Sequence, residues 1–313
     1  MKISICIPVY NGADSIERLL AAIDSAFSAA DKEVVLVNDG SHDNSAEVCR
    51  KLTERYAYVR FVDLRKNSGE HNAVMCALNY CTGDCAAIID DDLQNPPEEI
   101  FKLIEEMEKG YDVVFAKYHK KKHSLFRNIG SKFNDLFATW LLEKPKNLYL
   151  CSFKLISRAV IDEIIRYKGP FPYVDGLILR VTDSFSSVYV NHNARESGHS
   201  NYTLKRLVRL YLNMFINFSI KPMRLITMVG FSIMGLALVL AAAFIIEKLM
   251  HPEISAGWTS LSVLVLFFGG LQSFFLGLIG EYIGKNYLDR NGTPQWTVKG
   301  VYEGGKRKAL RDC

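Results

Sequence analysis

Residues Cys85 to Glu99 read CAAIIDDDLQNPPEE. A short apolar run ends in three consecutive carboxylates, and Asn95, Pro96 and Pro97 follow, which is how a buried strand stops at a loop. The acids therefore sit at a strand mouth. Side chains alternate along an extended chain, so Asp90 and Asp92 point one way and Asp91 the other. Two carboxylates facing one spot repel each other unless a cation holds them.

Outward from this strand, the first 115 residues alternate between two periodicities. KISICIPVY, EVVLVND, VRFVDL, CAAIID and YDVVFA read as strands, and helical patterns fill 16–29, 45–56, 73–80 and 97–109. The fold class is α/β with a mostly parallel sheet. In such sheets ligands gather beyond the carboxyl ends of the strands, where this chain carries Tyr10, Asn11, Asp39 and the acid cluster. No GxGxxG follows the first strand and no GxxxxGK[ST] occurs, so the phosphate cradles of dinucleotide and P-loop proteins are missing.

Composition narrows the class further. The chain has 313 residues, 49% of them hydrophobic, with a formal net charge of +4, a balance that points neither to disorder nor to nucleic-acid binding. Seven cysteines lack framework spacing, and the N-terminus enters a strand pattern without a signal peptide, so the first half is expected to be cytosolic and reduced. Cys76, Cys81 and Cys85 cluster without a CxxC pair and read as buried thiols.

The character of the chain changes near residue 220. Leu225 to Ile246 and Ser260 to Ile279 are free of charge and would span about 33 and about 30 Å as helices, enough to cross a bilayer. Lys221 and Arg224 precede the first stretch and Lys285 and Arg290 follow the second, which places both ends in the cytoplasm. Two further segments, about 123–142 and 203–221, carry apolar residues at helical spacing beside basic ones. They read as helices lying on a lipid bilayer, or as ordinary packed helices beside a solvated charge run. The expected organisation is a catalytic domain over 1–202, an interfacial helix, a two-helix transmembrane hairpin over 222–284 and a cytoplasmic tail over 285–313. A cut after Lys221 is expected to leave a domain that still binds nucleotide.

The stretches IPVYNG, VNDGSHDNS, NSGEHNAVMCAL, DDDLQNPPEE, FRNIGS, RESGHSNYTLKRL and GLIGEYIG, in this order, cover almost the whole chain. With them the chain resembles the family 2 glycosyltransferases of GT-A fold, and within these the polyprenyl-phosphate branch. The resemblance implies an inverting, membrane-bound glycosyltransferase of the inner (cytoplasmic) membrane. It would move one sugar from a nucleotide-diphospho-sugar, UDP-linked, to polyprenyl phosphate, and it leaves room for a homo-oligomer. It further implies a site holding Mg2+ or Mn2+, with Asp92 as ligand, Asp90 supporting the nucleotide end and the ion, and Gln94 adding a third oxygen. Oxygen donors suit such hard cations. Asp90, Asp92, Arg127 and Arg195 would be the catalytic set, the two arginines gripping the lipid phosphate with help from Lys205 or Arg206. Nucleotide contacts fall on Pro8, Tyr10, Asn11, Asp39, Glu70, His71, Asp90 and Asp91. Asp39 could accept the ring N–H of uracil, with Pro8 and Tyr10 as a wall, and the backbone N–H groups at 67–69 could face phosphate.

Blander readings stand beside these: an N-cap or solvated turn for the acids, a turn aspartate at Asp39, a core tyrosine at Tyr10 and a structural histidine at His71. Two positions depart from the family pattern. Asn201 stands where a lysine is frequent, and Leu148 stands where relatives carry an aspartate proposed as base. A phosphate acceptor is already largely anionic near neutral pH and needs no such base. The competing functions are transfer to a glycan or protein acceptor, and a catalytically silent subunit that binds sugar nucleotide or lipid.

Overall fold

The computed structural model describes residues 1–118, 148–193 and 257–308, with Pro145 and isolated positions between 228 and 250. The chain divides into two compact units, one formed by Met1–Asn201 with Gly292–Cys313, the other by Tyr202–Asn291.

The first unit is built on β1 (Ile3–Val9), α1 (Ile16–Ala26), β2 (Lys32–Asn38), α2 (Ser45–Arg55), β3 (Val59–Leu64), α3 (Glu70–Tyr80), β4 (Cys85–Ile88), a 3-10 turn (Pro97–Glu99) leading into α4 (Ile100–Met107), and β5 (Val113–Tyr118). It continues with β6 (Lys154–Ser157), α5 (Arg158–Ile164), α6 (Val174–Val181), β7 (Phe185–Val190), β8 (Val298–Glu303) and β9 (Lys306–Lys308). The strands form one nine-stranded sheet in the order β7-β5-β6-β4-β1-β2-β3-β8-β9. β1 to β4 run parallel, and β6 and β8 run against their neighbours. The α/β class with a mostly parallel sheet is as expected.

Period-two alternation sorts the apolar side chains onto two faces. Ile5, Ile7 and Ile89 pack with Leu19 and Leu20 of α1 and with Leu103 of α4. Cys6, Ile88 and Ile156 pack on the opposite side with Met75 and Leu78 of α3, Ile161 of α5 and Ile178 of α6. All six cysteines among the described residues are free and buried, as read from their spacing.

The C-terminal region differs from the expectation of a tail. β8 pairs with β3 through Val301 opposite Val62 and Tyr302 opposite Phe61, so the first unit is discontinuous in sequence. Gln295 donates to the carbonyls of Gly169 (2.8 Å) and Tyr167 (3.1 Å), which anchors the returning chain.

In the second unit, α7 (Trp258–Arg290) is 33 residues long, about 50 Å. Val265, Phe267, Phe274, Leu276 and Ile283 are each at least 60% exposed along it. Counting only described residues, no helix is long and apolar enough to cross a membrane. The segments 123–142 and 203–221 lie outside the described residues, as does most of the stretch 225–246.

Candidate functional site

The acid cluster sits at the carboxyl end of β4, between β1 and β6. The β4 strand ends at Ile88, and both Asp91 and Asp92 lie in the turn that follows it. There Asp92 Oδ1 accepts from the Gln94 backbone N–H at 3.1 Å, and Leu93 adopts φ 60°, a left-handed value costly for a bulky L residue. Asp92 is therefore held by its own turn.

Asp91 faces the α1 side. Its carboxylate accepts from the Tyr10 N–H at 3.3 Å, and a Cβ built on Gly12 would stand 2.2 Å from its Oδ2, so only glycine lets the β1–α1 turn close over it. Burial pushes the Asp91 carboxyl up to about 7, with Asp90 and Asp92 adding to the shift against the Tyr10 bond. Asp91 thus ties the acid loop to the β1–α1 turn.

Asp90 faces the α3 and α6 side. The Ser152 hydroxyl donates to its Oδ2 at 2.7 Å. Lys154, which opens β6 two residues on, pairs with Asp175 of α6, and both side chains are at most a tenth exposed. The Lys154 ammonium also lies 5.5 Å from the Phe115 ring centroid. Glu70 and His71 open α3 on this same side, and the His71 ring meets Tyr173 edge-on at 5.0 Å. Burial pushes Glu70 up to about 7, reinforced by Asp90 and opposed by Lys154, and burial lowers His71 to about 4.

On the other flank, Asp39 is buried and accepts from the backbone N–H groups of Ser68 (2.6 Å) and Gly69 (2.9 Å). These two donors, expected to face phosphate, are spent on Asp39. Burial raises the Asp39 carboxyl against those two bonds, and each of its oxygens keeps a second lone pair for another donor. Tyr10 is 44% exposed beside His42, Pro8 is half-buried, and Asn11, at φ 55°, is held by its side-chain oxygen accepting from the His42 N–H at 2.9 Å. A cavity of about 590 Å³, lined in part by Asn38, Gly40, His42, Lys66 and Lys299, opens between the ends of β2, β3 and β8.

The donor set suits a hard cation: two carboxylates, Asp90 and Asp92, with the amide oxygen of Gln94, whose Nε2 is engaged by the Asn193 carbonyl at 3.4 Å. Among the described residues no three His, Cys, Asp or Glu side chains converge as a ready metal cluster. Arg127, Arg195, Lys205, Arg206 and Asn201 lie outside the described residues. Leu148 is 7% exposed within the α3-side core.

Ser152, Lys154 and Asp175 were not anticipated from sequence. The available signal was Lys154 itself, a lone charge inside the apolar run Phe153 to Ile156, because a buried lysine requires a partner.

Comparison with known proteins gives three results. The model of Glycosyl transferase family 2 matches residues 4–165, and that of the GtrB C-terminal hairpin matches 221–285. An undecaprenyl-phosphate 4-deoxy-4-formamido-L-arabinose transferase of Pseudomonas fluorescens (strain SBW25) is 33% identical over 307 residues, covering 96% of this chain and 89% of the relative. An uncharacterized glycosyltransferase of Bacillus subtilis (strain 168) is 31% identical, covering 100% of this chain and 98% of the relative. Among solved structures, glucosyl-3-phosphoglycerate synthase from Mycobacterium tuberculosis in complex with phosphoglyceric acid superposes with a TM-score of 0.51 at 16% identity, covering 70% of this chain and 80% of that one. The same synthase in complex with Mn2+, UDP and glucosyl-3-phosphoglycerate gives 0.51 at 18% identity, over 67% of this chain and 76% of that one.

Proposed function

The chain belongs to glycosyl transferase family 2, and from that premise we propose that it transfers a single sugar from a nucleoside-diphosphate sugar to polyprenyl phosphate at a membrane surface. The reading rests on one observation: Asp90 and Asp92 stand at the mouth of β4, within a chain that matches undecaprenyl-phosphate sugar transferases along nearly its whole length. Asp90, Asp92 and Gln94 would hold Mg2+ or Mn2+. When bound, such an ion offsets the charge that develops on the diphosphate leaving group.

The remaining roles fall to side chains of this chain. Tyr10 and Pro8 form an apolar wall for a base, with Asn11 bracing the turn beside them, and Asp39 keeps acceptor capacity for a ring N–H, which favours uracil. Arg127 and Arg195 orient the acceptor phosphate, which serves as its own nucleophile, so Leu148 in place of an acid costs the reaction nothing. Inversion at the anomeric carbon follows from direct attack by that phosphate. Support for the membrane hairpin comes from the match over 221–285 and from α7, whose large apolar side chains are exposed. The reading places the protein in the inner membrane with both termini in the cytoplasm.

The test is to incubate detergent-solubilised protein, Mn2+ and a short polyprenyl phosphate with a panel of UDP and GDP sugars and to search for glycolipid by mass spectrometry. Asp92→Asn should abolish the product while leaving the circular dichroism spectrum unchanged. Undiminished transfer by the wild type in a metal chelator would overturn the metal assignment. Sugar transfer to protein or glycan with no lipid product would overturn the acceptor.

A further inference from the structure

Asn95 is 2% exposed, although it lies in the loop between the acid cluster and Pro96. A buried amide needs partners, and the Asn95 side chain finds them on two other parts of the fold. Its Oδ1 accepts from the Tyr118 hydroxyl at 2.8 Å and meets His192 Nδ1 at 3.3 Å. An amide oxygen only accepts, which assigns the proton of this contact to Nδ1. Tyr118 ends β5 opposite Val190 of β7, and its ring lies against that of His192 with centroids 4.2 Å apart. Asn95 Oδ1 is thus the one atom where the acid loop, β5 and the chain leaving β7 meet.

The chain leaving β7 is held to the same loop on either side of His192. Asn191 donates to Oε1 of Glu99, buried just before α4, at 2.7 Å. Asn193 donates its backbone N–H to the Gln94 carbonyl at 2.8 Å, and its own carbonyl accepts from Gln94 Nε2 at 3.4 Å. The last of these bonds decides which end of the Gln94 amide is on offer. A side-chain amide ligates a hard cation through its oxygen and not through its NH2 group, so committing Nε2 to Asn193 leaves Oε1 as the end for an ion.

We propose that Asn95 is a positioning residue for the metal site: by holding Tyr118 and His192 it fixes the segment 191–193 against the acid loop, and that segment aims the oxygen of Gln94 at the divalent ion. Asn95 acts through Asn193 and Gln94, because its own oxygen is taken up by Tyr118 and His192. The inference rests on the metal reading of the preceding subsection, in which Gln94 supplies the third oxygen.

The experiment measures Mn2+ binding to the full-length protein in detergent with saturating UDP, from the loss of the free-ion electron paramagnetic resonance signal, and so needs no turnover. Asn95→Ala should weaken Mn2+ binding roughly tenfold, the lower end for partners that orient a ligand, and Gln94→Ala at least as much. Tyr118→Phe, which removes one donor to Asn95 and keeps the ring beside His192, should act in the same direction and more weakly. Added to Gln94→Ala, neither change should weaken Mn2+ binding by more than about twofold further, as expected of residues that act through one another. The melting temperature is the contrast: Asn95→Ala should lower it with or without Gln94, because the Tyr118 hydroxyl loses its acceptor in both backgrounds. Wild-type Mn2+ affinity in both Asn95→Ala and Tyr118→Phe, or losses that multiply when either is combined with Gln94→Ala, overturns the inference and leaves the metal reading standing. If Asn95→Ala gives no cooperative melt, Tyr118→Phe decides on the same two criteria. Absence of Mn2+ binding by wild type, or unchanged binding by Gln94→Ala, overturns the metal assignment and this inference with it.

Discussion

The Ser152 hydroxyl donates to Asp90 Oδ2 at 2.7 Å, from the segment that leads into β6, the strand antiparallel to β4. The β4–β6 ladder ends with Ile88 opposite Lys154, and Asp90 and Ser152 each lie two residues beyond that end. One oxygen of a proposed metal ligand is thereby held by the segment entering β6. Partners that orient a ligand in this way are typically worth roughly 10- to 100-fold in metal affinity or activity. Ser152→Ala should raise the Mn2+ concentration needed for half-maximal transfer by about that factor, with the melting temperature nearly unchanged. Equal metal titrations of variant and wild type would remove Ser152 from the site.

Glu33 makes a different use of a carboxylate, at the opposite end of the sheet. It lies opposite Ser4 in the β1–β2 ladder and accepts from the Ser4 hydroxyl (2.6 Å), the Thr82 hydroxyl (2.7 Å), the Gly83 N–H (3.1 Å) and Lys2 (3.2 Å). Burial alone would raise its pKa, but the bonds from Ser4, Thr82 and Lys2 outweigh it and hold the carboxyl at about 2 against an ordinary 4.5. A carboxylate with a depressed folded-state pKa stabilises above its unfolded value, and that contribution is lost as pH falls from about 4.5 towards about 2. The shift corresponds to about 3 kcal/mol. Glu33→Gln should therefore melt well below wild type at pH 7, and the gap should narrow as pH falls through this window. A gap independent of pH would mean that shape rather than charge is at stake.

The buried Lys154–Asp175 pair should respond asymmetrically to mutation. Removing one partner strands the other charge, at a cost of about 3 to 5 kcal/mol, whereas replacing both with apolar residues of similar volume is often close to neutral. Lys154→Met and Asp175→Leu should each lower the melting temperature strongly, and the double variant should recover most of the loss. Additive losses would indicate that each group is held by other partners.

The parts of this protein legible in its sequence are those whose cause is local. β1 to β5 are apolar runs with β-branched residues, bounded by polar loops, and they were read within a residue or two of their observed limits. The acid cluster was legible because three carboxylates at a strand end demand an explanation. β6 was missed because it is four residues long and Lys154 interrupts its apolar pattern. β8 was missed because a strand of mixed polarity far along the chain looks like a tail until its partner is known, and Arg60 meets Glu303 across 243 positions. The support of Asp90 by Ser152 was hidden for the same reason, since strand pairing rather than sequence proximity creates it. The strand itself is shorter than the run CAAIID suggests, since β4 ends at Ile88 and the acids follow in the turn.

The last prediction concerns that returning segment. Deleting Gly292 to Cys313 removes β8 and turns β3, otherwise internal, into an exposed edge with unpaired N–H and C=O groups. It strips the stacking partner Tyr302 from Phe61, whose ring centroids are 5.7 Å apart, and leaves buried Asp63 with Asn38 but without Lys299. The buried carbonyl of Gly169 loses Gln295, and an unsatisfied buried acceptor costs about 1 to 3 kcal/mol. A cut after Lys221 removes the same strand, so the shortened chain should not behave as the self-sufficient nucleotide-binding domain that contiguous sequence suggests. It should aggregate or melt far below the intact protein. Gln295→Ala in the full-length chain separates this cause from loss of the second unit: it should lower the melting temperature by several degrees while membrane association stays intact. If the chain cut after Lys221 binds UDP and melts like the intact protein, β8 contributes nothing to the fold it completes.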